Sequence, residues 1–207
     1  PNSQAAIDAI TANMNVQGNS DLFTVDAHVN GDLVEFGGNM VQVAFGGQFR
    51  SEKMNYDWSE DYNGPNGDGS NGSNLANLNG GNLMFLYGGP DYGGERDVYA
   101  LFGELAVPIG ETLDLQIAAR YEDYGSGINS FDPKISALWR PDETLSVRAS
   151  FSTAFRAPSL YNVNGVQTAL NEITLGTTST FLPVRSTGNS NLSPENSDVY
   201  NIGFTWN

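Results

Sequence analysis

The chain has no cysteine and only one histidine, His28. Disulfide frameworks, thiol nucleophiles, cysteine-ligated zinc and multi-histidine metal sites are therefore excluded. Cations are scarce as well: 9 Lys and Arg stand against 24 Asp and Glu in 207 residues, a net charge of −15. Without the clustered Lys and Arg that neutralise phosphates, nucleic acid is excluded as a partner. No apolar run approaches the ~20 residues of a membrane helix, which removes helical spans and leaves β spans open. Catalytic patterns are missing too. There is no G-x-S-x-G or H-E-x-x-H, and paired carboxylates such as Glu60 and Asp61 lie in a polar stretch with no burial to separate their pKa values. No enzymatic activity, resident metal or cofactor is expected. The sequence opens on Pro1 without a signal-peptide pattern, and it is expected to be part of a longer polypeptide.

What the chain does have is strict alternation of apolar and polar residues, which a strand with one greasy and one wetted face requires. Phe23, Val25, Ala27 and Val29 alternate with Thr24, Asp26, His28 and Asn30, and after a Gly-Gly turn Val41, Val43, Phe45, Gly47 and Phe49 repeat the plan. Tyr99 to Val107, Leu113 to Tyr121, Ile135 to Trp139, Leu145 to Phe151 and Ser197 to Trp206 follow in the same way, about seven strands in all. Tight turns at Pro108–Thr112 and Arg140–Glu143 alternate with long polar stretches at Tyr56–Arg96 and Ala157–Asn196 and a shorter one at Asp123–Ser130. The expected organisation is a loop or short helix over 1–18, a first hairpin over 19–55, a long loop over 56–96, four strands over 97–156, a long loop over 157–196 and a last strand over 197–207. Soluble antiparallel sheets also alternate. Strands of about ten residues, turns and loops segregated to opposite ends, and aromatics near strand ends (Tyr56, Trp58, Tyr121, Tyr124, Phe131, Trp139, Phe155, Trp206) favour an outer-membrane barrel with short periplasmic turns and long extracellular loops.

Five stretches reach a known family. FGELAVP at 102–108, AARYEDY ending at Tyr124, DPK at 132–134 with WRP at 139–141, VRASFSTAFRAPSL at 147–160, and NLSPE at 191–195 before YNIGFTW resemble the barrel of TonB-dependent outer-membrane receptors. The hairpin over 19–55 resembles the preceding one of that family. The resemblance implies an all-β antiparallel meander forming part of a transmembrane barrel of about 22 strands. It also implies a plug domain and TonB box that are absent from these residues. The partners it implies are the TonB complex reached through that plug, outer-membrane lipid, the remainder of the barrel, and a scarce ligand such as a siderophore, cobalamin or oligosaccharide taken up with energy. A soluble or cell-surface β structure, such as an adhesin or filament subunit, is the alternative. Open sheet edges are not tolerated in lipid, so about seven strands must be completed by others.

Candidate residues follow. Glu104, Asp114, Arg120, Glu122, Lys134 and Arg148 share the polar, lumen-facing side, where a ladder of mutually paired ions is the ordinary arrangement. His28 is a polar inward residue rather than a metal ligand. In the acidic stretch after Tyr56, Asp57, Glu60, Asp61 and Asp68 lack the EF-hand pattern and read as an acidic loop. Exposed aromatics supply large contact area at little entropic cost, making Tyr56, Trp58, Tyr62 and, in the second long stretch, Tyr161 candidate ligand contacts. The family motif residues Phe155, Arg156, Pro158, Pro194 and Glu195 read as structural, with Arg156 bonding loop carbonyls or Glu195 and Pro194 standing where a strand tolerates proline. The net acidity disfavours a strongly anionic ligand.

Overall fold

The computed structural model describes residues 3–8, 11, 15–59 and 90–206. A short helix α1 (Gln4–Asp8) precedes strands β1 (Val16–Phe36), β2 (Asn39–Trp58), β3 (Tyr92–Ile109), β4 (Leu113–Asp123), β5 (Asn129–Trp139) and β6 (Leu145–Arg156). Helix α2 (Leu160–Asn164), β7 (Val166–Leu175), β8 (Thr178–Thr187) and β9 (Glu195–Trp206) complete the chain. Seven strands form one antiparallel meander in the order β1-β2-β3-β4-β5-β6-β9, while β7 and β8 pair only with each other. The residues fall into two compact units: Pro1–Asp21, Lys53–Glu95 and Ser159–Leu192 in one, and Leu22–Glu52, Arg96–Pro158 and Ser193–Asn207 in the other.

The seven-stranded count matches the alternation. The structure differs from the sequence reading in where elements end and in what lies between them. β1 starts at Val16, β2 runs on to Trp58 and β3 begins at Tyr92, because alternation continues through polar residues that carry no apolar signal. The stretch 157–196, expected as an irregular loop, contains α2 and the β7–β8 hairpin. Ser159 nucleates the helix: its side chain accepts from the Asn162 amide while the Asn162 side chain accepts from the Ser159 amide, a reciprocal cap. The hairpin follows from a run rich in Thr, Val and Ile closed by Gly176 at φ 65°, a conformation in which glycine carries no Cβ penalty.

In the second unit the register puts parity to use. On one face Leu105, Ile117, Ile135, Phe151 and Tyr200 lie directly opposite one another across five strands. On the other, Ala106, Gln116, Ser136, Ser150 and Asn201 form the matching row. Among the described residues no second layer covers the apolar face. Among the described residues only Val41, Val98 and Ala100 form a buried apolar core, while Ile202 is 82% and Phe204 76% exposed. An uncovered apolar face of this extent is what a lipid-facing strand set presents and what a soluble sandwich buries.

The tight turns close by distinct chemistry. Gly37 and Gly38, at φ 61° and 84°, supply the two left-handed positions of a type I′ hairpin. In the Arg140–Thr144 turn, Asp142 accepts from the Thr144 hydroxyl at 2.6 Å, the Thr144 amide at 2.8 Å and the Leu145 amide at 3.0 Å. The Thr144 hydroxyl first, then the two amides, holds the Asp142 carboxyl below its ordinary range. A depressed pKa adds order to the turn above the unfolded-state value and withdraws it as pH falls through the folded one.

Two outcomes are expected. Ile117→Lys on the apolar face destabilises the folded protein by about 2–4 kcal/mol in a bilayer, whereas Gln116→Lys, one residue away on the polar face, leaves it assembled; heat-modifiable migration in detergent gels distinguishes them. Protection of the Thr144 amide, its exchange rate relative to the unstructured rate at the same pH, is expected to fall as pH drops below ~4 and to lose that pH dependence in Asp142→Ala. An Asp142 that titrates at its ordinary value overturns the turn argument.

Candidate functional site

The first unit assembles three tyrosines from three separated segments. Tyr56, near the end of β2, stacks on Tyr92, the first residue of β3, with ring centroids 5.0 Å apart and planes 10° off parallel. Tyr161 of α2 meets Tyr92 edge-on at 6.2 Å and 60°, and its hydroxyl lies 3.4 Å from the Gln167 side-chain oxygen. Tyr161 stays 45% exposed, so the cluster offers ring surface to solvent. The structure thus brings together two of the residues expected as ligand contacts, Tyr56 and Tyr161, through Tyr92, which the sequence reading missed. Trp58 donates its backbone amide to Asp91 at 2.7 Å. Tyr62, like Glu60, Asp61 and Asp68, lies outside the described residues.

Glycines set this geometry. A Cβ on Gly18 would stand 3.0 Å from the Tyr56 ring, one on Gly165 would lie 2.5 Å from the Tyr161 carbonyl, and those on Gly94 and Gly188 would strike the Asn164 side chain and the Val163 carbonyl. The base of the β7–β8 hairpin then closes on α2, with Gly188 donating to Gly165 at 2.6 Å and Asn189 to Asn162 at 2.9 Å. Backbone approaches this close leave α2, and Tyr161 with it, little freedom.

In the second unit the polar face carries a continuous ionic network. Glu52 accepts from both Arg50 and Arg96 at 2.7 Å, and Arg96 donates onward to the Pro158 carbonyl at 2.7 Å. The guanidinium groups of Arg50 and Arg96 lie 5.7 and 5.1 Å from the centroid of Tyr124. The Tyr124 hydroxyl donates to Glu122 at 2.7 Å, and Glu122 pairs with Arg120 at 2.6 Å. Burial first, and then the bond to Glu122, raises the Tyr124 phenol above its usual range, so it remains a donor. Phe155 packs on Tyr124 at 5.5 Å.

The six residues expected on the lumen side share that face, as the pairing registers require, but they are not all paired with each other. Arg120 pairs with Glu122, Asp114 with Arg140, and Glu104 accepts from the Gln116 amide. The side chains of Lys134 and Arg148 form no ion pair or hydrogen bond among the described residues, so the expected ladder of ions is incomplete. Arg156 does meet Glu195, at 3.4 Å with both side chains about three-quarters exposed. An exposed pair at that distance contributes little. Pro158 takes part through its carbonyl, and Pro194 directly precedes β9. Tyr124 and Tyr56, grouped by the sequence with interfacial aromatics, instead join the ionic network and the tyrosine cluster. Alternation continued two positions past Arg50 would have found Glu52 on the same face as Gln48; no motif marked Arg96 or Tyr92.

The TonB dependent receptor-like β-barrel family model matches residues 2–207. Among solved structures, a mutant of the ferric enterobactin receptor PfeA of Pseudomonas aeruginosa in complex with enterobactin is similar at a TM-score of 0.65 and 17% identity, over 91% of this chain and 25% of that one. The siderophore receptor PirA of Pseudomonas aeruginosa gives 0.62 at 18% identity over 92% of this chain and 30% of its own. Its namesake from Acinetobacter baumannii gives 0.62 at 13%, over 93% and 25%. This chain therefore spans between a quarter and a third of the length of those receptors. No curated protein matches the sequence.

Glu52→Gln leaves two half-buried guanidinium groups without their shared carboxylate and is expected to cost about 1–3 kcal/mol. Denaturant unfolding of the intact protein checks it, together with faster proteolysis after Pro158. Gly188→Ala is expected to increase exchange of the Gly165 and Asn189 amides while leaving the β3–β4 ladder protected.

Proposed function

The chain belongs to the TonB-dependent receptor-like β-barrel family, and from that premise we propose that the protein containing it resides in a Gram-negative outer membrane and takes up a scarce ligand with energy drawn through TonB. The ligand class we assign is a siderophore. The observation that carries it is the tyrosine cluster. Tyr56, Tyr92 and Tyr161 converge from three segments, and Tyr161 leaves ring surface open. Such a surface suits a planar or aromatic chelating group, by offset stacking and edge contacts. The similar siderophore receptors, one of them a complex with enterobactin, support the same class. The net charge of −15 favours chelates of low negative charge. Trp58, two residues beyond Tyr56, is assigned to the same contact surface. The coupling machinery, a plug and a TonB box, belongs to parts of the receptor outside these residues.

The test uses the full-length receptor in cells lacking other iron receptors. Uptake of labelled iron from a ferric chelate of low net charge with aromatic ligand groups is expected to exceed that from an aliphatic ferric hydroxamate, and to vanish in cells without TonB. Tyr92→Ala is expected to weaken binding about 3- to 10-fold, the effect of losing one aromatic contact pair. Uptake of cobalamin or an oligosaccharide in place of either chelate overturns the siderophore reading. TonB-independent uptake overturns the energised one.

A further inference from the structure

Near the connection between β4 and β5, strands β5 and β6 part. They pair with each other only over Lys134–Trp139 and Val147–Ser152, whereas β5 goes on pairing with β4 as far as Asn129 and β6 with β9 as far as Arg156. Pro133, where the β5–β6 ladder stops, has no amide hydrogen to extend it. The slot between the two strands holds a pocket of about 310 Å3, lined in part by Ser130, Asp132, Thr153, Asn196 and Asp198.

All the charge in that lining is negative. Asp132 accepts from the Thr153 hydroxyl at 2.9 Å, and Asp198 of β9 stands directly opposite Thr153, a pairing that sets Cβ atoms about 5 Å apart. One hydroxyl thus lies between two carboxylates. Neither carboxylate forms an ion pair among the described residues. Lys134, two positions along β5 from Asp132, pairs with neither, and Arg156 pairs with Glu195. Asp198 also ends the row Trp206, Phe204, Ile202 and Tyr200, all exposed on the apolar face. A bare charge beside such a face is costly unless it is paired or bound to a metal.

An orphaned hydroxyl joins the carboxylates. Ser130 is only 7% exposed, and its Oγ is buried without a hydrogen-bond partner among the described residues. Ser130 lines the same pocket and, two residues before Asp132, shares its side of β5. Buried hydroxyls are ordinarily satisfied, and here the oxygen is left free to act as a ligand.

The donor set decides which ligand. Among the described residues no three Asp, Glu or His side chains gather around one point, so a transition-metal set is missing there. Two carboxylates with hydroxyl and amide oxygens around them suit a hard cation. Calcium accepts neutral oxygens in irregular geometry, whereas magnesium demands a near-octahedral shell and keeps its waters.

We infer that the β5–β6 slot is a calcium site, with Asp132 and Asp198 as charged ligands and the Ser130, Thr153 and Asn196 side chains as neutral ones. The bound ion neutralises both carboxylates and ties β5 to β6 and β9 where the ladder between them has stopped. The inference is independent of the cargo reading, so a receptor for any ligand tests it equally well.

The full-length receptor, purified in detergent and stripped with a chelator, is titrated with calcium chloride in a calorimeter. Calcium is expected to bind with a dissociation constant between about 0.1 and 1 mM, and magnesium about 10-fold more weakly. Asp132→Asn and Asp198→Asn keep the shape of the side chain and are each expected to weaken this site about 10-fold or more; Ser130→Ala, which spares both carboxylates, weakens it about 3-fold. Heat-modifiable migration gives the second readout. In chelator Asp198→Asn is expected to unfold no faster than the parent, because a repulsive charge is gone, and calcium is expected to slow unfolding of the parent more than that of the variant. Equal calcium affinity and stoichiometry in the parent and Asp198→Asn overturns the inference, as does a parent that binds no calcium. An Asp198→Asn that unfolds faster than the parent by the same factor with and without calcium overturns it too, since the carboxylate then serves the fold alone.

Discussion

A sheet one layer thick has no interior, and that constraint organises this molecule. With almost no buried apolar residues among those described, stability comes from two sources. Backbone groups pair along the ladder, and each face is matched to the medium it meets. In lipid an unpaired backbone group costs several kcal/mol, and among the described residues the outer edges of β1 and β9 have no partner strand. Parity then becomes the code. A one-residue slip would send Ile117, Ile135 and Phe151 to the polar side and Gln116, Ser136 and Ser150 to the apolar one. The turns guard against it. Gly37 and Gly38 fix one hairpin, Asp142 ties down another, and Asn39 reaches from its strand to the Gly110 carbonyl at 2.9 Å, locking two neighbouring turns together.

The polar face faces a different problem. Few cations are available, and their use is concentrated. Three of the nine, Arg50, Arg96 and Arg120, join one network with Glu52 and Glu122 around Tyr124. Arg suits this role because its planar fork satisfies two acceptors while its face rests on an aromatic ring. Arg96 does both, and its remaining donor holds the Pro158 carbonyl. The FRAPSL segment is thereby fixed chiefly by a residue distant in sequence. Its own Arg156, the most conspicuous charge in the motif, forms only an exposed and long pair with Glu195.

Much of the fold was legible because the period of two is a direct consequence of pleating: the seven strands, the tight turns and the shared face of Glu104, Asp114, Arg120, Glu122, Lys134 and Arg148 all follow from it. The strand ends were not legible. Past Arg50 and before Tyr99 both faces become polar or glycine-rich, so alternation continues in the backbone without an apolar signal, and Glu52, Tyr92 and Arg96 dropped out of view with it. The β7–β8 hairpin was hidden for the opposite reason. Gly, Thr, Asn and Ser make the composition of a loop, although Thr, Val and Ile at the intervening positions favour extended backbone once a partner strand exists. Side-chain pairing within the polar face was also beyond reach, since parity says which residues share a wall and nothing about which rotamers meet.

Glycine explains why the tyrosine cluster in particular escaped a reading based on side chains. The contacts that place Tyr161 are made by atoms that are missing: the Cβ positions of Gly94, Gly165 and Gly188 are all taken up by neighbouring backbone or by Asn164. A motif search weighs residues by the chemistry they carry, and these carry none. Yet a ring can be held in an edge-on contact only if the short helix that bears it cannot shift, and a five-residue helix has too few internal hydrogen bonds to hold itself. Its order is therefore supplied from outside, by the Ser159 cap at one end and by Gly188 and Asn189 donating to its last carbonyls at the other. Aromatic surface and glycine spacing form one device here. The rings give contact area, and the glycines let the backbones come close enough to aim them.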